Sequence, residues 1–153
     1  MKILSPQTLF GSLLLALLTV NAWAEELNTI SVEQPWARAT ILKSRPAAAY
    51  LTLRNTGAEA DRLLSVTSPV AGSVVIHATT MTEGVVKMSP EHSPLVEPGK
   101  SIAFRPGERH LMMTDLKDAL RKGESFPLTL RFEKAGSIEI TVPIYSPGAQ
   151  GPE

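Results

Sequence analysis

With 153 residues, the chain fits a single domain. Fifteen Lys and Arg balance fifteen Asp and Glu, so no strongly basic stretch is offered to nucleic acid or anionic lipid. Cysteine is absent, which removes disulfides, thiolate nucleophiles and thiolate metal ligands.

In chain order, residues 1–24 read as a secretory signal peptide. Lys2 gives a short basic start, Leu13 to Leu18 form the centre of an apolar run, and Ala22-Trp23-Ala24 places small residues where signal peptidase cleaves. The run is too short to span a bilayer as a permanent anchor, and no second such run follows. The exported chain then starts at Glu25, with a β-domain over 25–145 and no membrane span.

Nine strands are expected: Asn28 to Val32, Ala49 to Arg54, Arg62 to Val66, Ser73 to Thr79, Val85 to Met88, Ser101 to Arg105, His110 to Met113, Phe126 to Glu133 and Ser137 to Ile144. Leu128, Leu130 and Phe132, like Ile138, Ile140 and Val142, recur with the period of two that marks a strand with one buried face. Glu83-Gly84, Pro98-Gly99, Pro106-Gly107 and Ala135-Gly136 supply turns between them. Thr114 to Arg121 is expected as a short helix, Leu42 to Pro46 as a connecting loop, and the Pro/Gly-rich stretch 146–153 as a flexible tail. Many short strands at this spacing predict an all-β fold, a single Greek-key sandwich or barrel.

All three histidines and every methionine after Met1 lie between positions 77 and 113. Taken singly, each has a bland explanation, since Met fills gaps in cores and a lone His is more often structural than ligating. Their arrangement argues otherwise. A two-residue hairpin closed by Glu83-Gly84 places Thr79 opposite Met88, so His77, Thr79, Met81 and Met88 share one face. His77 is then a diagonal neighbour of Met88. His110 and Met112, two residues apart, share a face of another strand. Convergence of the two pairs is a hypothesis that only tertiary structure can test. Met113 should face away from Met112 and pack inside, while His92 sits in a solvated loop. Trp36 and Tyr50 are read as core, and Arg38 as pairing with a carboxylate or a loop carbonyl.

Two imidazoles with two thioethers would suit Cu(I), because neutral thioether sulfur is a soft ligand that Zn(II), Mg(II) and Ca(II) largely refuse. Blue-copper electron transfer needs a Cys thiolate, which is missing. Zinc would draw on His with Asp or Glu; Glu83, Glu91 and Glu108 lie nearby but each is read as solvated.

The spacing of His77, Met88, His110 and Met112 resembles the H-x10-M-x21-H-x-M motif of the periplasmic copper chaperones called PCuAC. Trp36 to Thr40, Ala49 to Leu51, Asn55, Asp61 to Leu63, Gly84 to Met88, Pro106-Gly107 and Leu128 to Gly136 look like family landmarks, so the resemblance covers nearly all of 31–144. It implies a cupredoxin-like or immunoglobulin-like β-fold with one exposed Cu(I) site. It also implies a monomeric periplasmic carrier that delivers copper to the dinuclear centre of cytochrome c oxidase or to another assembly chaperone. Some members have Met directly after the first His, where this chain has Ala78, and Met81 could serve as a spare sulfur. Others carry a His/Met-rich tail that residues 146–153 do not reproduce. No Ser/His/Asp arrangement, phosphate loop or carboxylate pair points to an enzyme. A copper buffer and a metal-free immunoglobulin-like interaction module stay open as alternatives.

Overall fold

In the computed structural model, which describes residues 29–152, the protein is all-β. The expected signal peptide lies outside the described residues. Ten strands follow in chain order: β1 (Ile30–Arg38), β2 (Ala47–Asn55), β3 (Asp61–Thr67), β4 (Ala71–Thr82), β5 (Val85–Pro90), β6 (Leu95–Val96), β7 (Ser101–Phe104), β8 (His110–Leu116), β9 (Ser125–Phe132) and β10 (Ser137–Tyr145). They form one mixed sheet in the order β5-β4-β8-β2-β1-β10-β9-β3-β6, with β7 also on β2. The β1–β10 pair is parallel and every other pair antiparallel.

Period-two patterning builds the core. Phe126, Leu128, Leu130 and Phe132 of β9 are buried together with Ala47, Ala49, Leu51 and Leu53 of β2, Leu111 and Met113 of β8, and Val142 and Ile144 of β10. The alternation breaks in β3, where the register with β9 shifts between Leu63 and Ser65, and in β1, where the register with β2 shifts between Glu33 and Trp36 and Gln34 takes φ 48°. A bulge of this kind reverses which side chains face inward. Before it, Val32 packs on the main core; after it, Ala37 does. Trp36 consequently lands on the opposite face, against Tyr50, in a second small cluster.

Two buried polar side chains organise the end of the sheet remote from the 40–46 loop. The Asp61 carboxylate accepts backbone N–H bonds from Arg62 (2.8 Å), Lys134 (2.9 Å) and Ala135 (2.8 Å), which fixes the turn between β9 and β10. Asn55 donates to the carbonyls of Glu59 (2.7 Å) and Val96 (2.9 Å) and accepts from the Gly57 amide. Both are fully paired, as burial of polar groups requires.

The expected helix over Thr114 to Arg121 is absent among the described residues: β8 runs on to Leu116, and Ser73 and Ala71 of β4 pair with Thr114 and Leu116. Leu116 and Leu120 are both buried at a spacing of four, which reads as helical in sequence. Here a strand end and the following turn satisfy the same spacing. Residues 146–152, expected as a flexible tail, lie back on the sheet. Ala149 is buried against Trp36 and Tyr50, and Arg38 Nε donates to the Ala149 carbonyl at 2.8 Å.

Candidate metal centre

The β4–β5 hairpin has the register that its turn residues dictate. Glu83 and Gly84 take φ 52° and 79°, the pair of positive values that a two-residue turn between twisted strands needs. Thr82 then pairs with Val85, Met81 with Val86, Thr80 with Lys87 and Thr79 with Met88. On its other edge β4 pairs with β8, placing His77 opposite His110 and Val75 opposite Met112. Directly opposed residues in an antiparallel pair share a face, as do residues two apart on a strand. His77, Met88, His110 and Met112 therefore lie on a single face of three adjacent strands, β5, β4 and β8.

The two imidazoles meet edge-on, with ring centroids 5.7 Å apart and planes at 83°. His77 Nδ1 is buried and has no hydrogen-bond partner in the protein. An unpaired buried nitrogen costs free energy unless some other group takes its lone pair. His110 Nδ1 lies 3.3 Å from the Glu108 carbonyl oxygen. A carbonyl can only accept, so this contact favours the tautomer with the proton on Nδ1 and the lone pair on Nε2, the arrangement that hydrogen-bonding partners give to ligating histidines. Burial pushes the His110 pKa down, the Glu108 carbonyl partly offsets this, and proximity of His77 lowers it further. Burial and the neighbouring imidazole outweigh the carbonyl, so His110 is biased toward the neutral form that a metal can use.

Sulfur is presented outward. Met88 is 54% exposed and Met112 partly so, whereas Met113 on the reverse face is fully buried. Among the described residues no group of three or more His, Asp and Glu side chains is gathered to hold a cation, and the four expected donors are nitrogen and sulfur, whereas hard metals favour oxygen. Glu91, expected to be solvated, is instead ion-paired. Arg109 Nε and Nη2 both donate to its carboxylate, the second at 2.8 Å, and the Glu91 amide donates to the Ile76 carbonyl at 2.8 Å. This clamp ties the segment after β5 to the residue preceding His110. The sequence carried no sign of it, since the partners are 18 residues apart and share no motif. His92 is exposed, Arg38 finds a loop carbonyl, and Trp36 and Tyr50 are buried with ring centroids 4.4 Å apart.

Comparison with known proteins places this architecture among the PCuAC domains. The apo PCuAC domain of PmoF1 superposes with a TM-score of 0.67 at 32% identity, covering 78% of this chain and 95% of that domain. The copper-bound PCuAC domain of PmoF2 superposes with a TM-score of 0.67 at 28% identity, covering 78% and 94%. The chain belongs to the LpqE-like family, described as "Putative lipoprotein LpqE-like", whose model matches residues 30–144. A related sequence, the uncharacterized protein RP573 of Rickettsia prowazekii (strain Madrid E), is 38% identical over 104 residues, 65% of this chain. The match spans 58% of that relative's own length.

Proposed function

We propose that this protein is an extracytoplasmic copper chaperone that binds one Cu(I) through His77, Met88, His110 and Met112 and passes it on without catalytic turnover. The observation that carries this reading is the register of β5, β4 and β8, which sets two facing imidazoles beside two outward thioethers. The unpartnered His77 Nδ1 and the tautomer favoured at His110 agree with it, as does copper in the related PmoF2 domain. Four neutral donors leave one net positive charge with Cu(I) and two with a divalent ion, which favours the monovalent metal in a half-buried site. The recipient we assign is a protein with cysteine thiolates, the dinuclear copper domain of cytochrome c oxidase. Residues 1–24 would direct export to the periplasm and 25–145 would form the copper-binding domain. The family's lipoprotein description fits export.

The deciding experiment is anaerobic Cu(I) titration of the exported protein against a competing chelator, followed by mixing the loaded protein with apo oxidase copper domain. One equivalent should bind, with nitrogen and sulfur neighbours in X-ray absorption, and should move to the acceptor. No binding would leave a metal-free interaction module as the description. Tight binding without transfer over hours would make the protein a copper buffer.

A further inference from the structure

Met81 is the sulfur on the ligand face that the four-residue site leaves unused. It is 73% exposed, against 54% for Met88, and its cross-strand partner Val86 is 60% exposed. Because Thr79 pairs with Met88, the two diagonal neighbours of Met88 on β4 are His77 on one side and Met81 on the other. Diagonal pairs lie about 7–8 Å apart at their Cα atoms, within reach of long side chains. Met88 thus stands between the imidazole pair and Met81, and the row His110, His77, Met88, Met81 runs from the half-buried sheet to the exposed hairpin tip. Solvated methionine gains nothing from packing, so core filling does not account for it.

We propose that Met81 and Met88 form an outer thioether station for a soft monovalent ion, adjoining the inner site and facing the solvent from which a partner approaches. This rests on the reading of His77, Met88, His110 and Met112 as ligands. Passage outward is a ligand exchange. The metal–nitrogen bonds to His77 and His110 and the bond to Met112 break as a bond to the Met81 sulfur forms, while Met88 stays attached. No electron moves and no proton is transferred. All five donors are neutral, so the net charge is +1 in either arrangement. Soft thioether donors select Cu(I) or Ag(I) over Zn(II) and Mg(II) at this station.

Ag(I), a closed-shell ion of the same charge that does not change oxidation state in air, is the probe. The intact protein carrying ¹³C-methyl methionine would be titrated and followed by NMR. The first equivalent should shift the Met88 and Met112 methyls. The second should shift Met81 and move Met88 again, with buried Met113 stationary throughout. In Met81→Leu the second displacement of Met88 should be lost. A Met81 methyl that stays put in excess silver, or that moves with Met112 in the first equivalent, overturns the two-station arrangement. If the first equivalent leaves both Met88 and Met112 unmoved, the four-ligand reading itself fails, an outcome distinct from a silent Met81.

Discussion

Met112 and Met113 are adjacent and chemically identical, yet their replacement by alanine should have opposite consequences. Met113 is fully buried, paired with Val74 of β4 and Ala47 of β2, and part of the main core. A buried Met→Ala change costs about 2–5 kcal/mol, depending on how far the surroundings collapse. With hydrogen-bonded strands on both sides, little collapse is available, so we expect about 3–4 kcal/mol. For a domain of this size each kcal/mol corresponds to roughly 4 °C, giving a fall in Tm of about 12–16 °C. Met112 lies on the opposite face and is only partly buried, so its truncation opens no closed cavity and should cost less than about 1 kcal/mol. In the proposed site Met112 is one of two sulfur ligands, so Cu(I) affinity should drop on the order of ten-fold or more, ~1.4 kcal/mol per decade. Thermal unfolding followed by circular dichroism, together with anaerobic chelator competition, measures both quantities on both variants. A Met113→Ala protein that lost copper while keeping its Tm, or a Met112→Ala protein that melted as early as Met113→Ala, would refute the assignment of faces.

At the hairpin turn, Glu83→Asn should slow amide exchange of β4 and β5 by a few-fold, because Asn tolerates the left-handed conformation that Glu83 adopts at φ 52°. Gly84→Ala should cost about 1 kcal/mol from its φ of 79° alone, since nothing lies within 4 Å of the added methyl. Asp61→Ala leaves three buried backbone N–H groups without their acceptor, and denaturant unfolding should show a loss of about 3 kcal/mol; a loss under about 1 kcal/mol would mean that water reaches them. The pH dependence has a definite sign. Burial holds the His110 pKa below its unfolded value, so the associated stability is present above pH ~6.5 and falls as pH drops through the folded pKa. Copper affinity should fall in the same acid range, with a limiting slope approaching two protons per ion if His77 and His110 both bind. A Kd independent of pH between about 5 and 8 would exclude the imidazoles as ligands.

Much of this protein is readable from local rules. The Leu128-Leu130-Phe132 alternation and the turn dipeptides predict strands where strands are found, because strand faces alternate every residue and two-residue turns demand positive φ. The register of the Glu83-Gly84 hairpin follows from the same geometry, down to Thr79 opposite Met88. What local pattern could not supply is everything that depends on which distant strand lies alongside. The β1 bulge that turns Trp36 away from the main core, the strand continuing through Thr114 to Leu116, and the Glu91–Arg109 clamp each arise from partners far away in sequence. The meeting of His77 with His110 is the decisive case. One residue of slip between β4 and β8 would put the two rings on opposite faces of the sheet. Spacing in the chain constrains which residues of one strand share a face, but pairing between strands 33 residues apart in sequence is settled only when the whole core closes around Ile76, Leu111 and Met113.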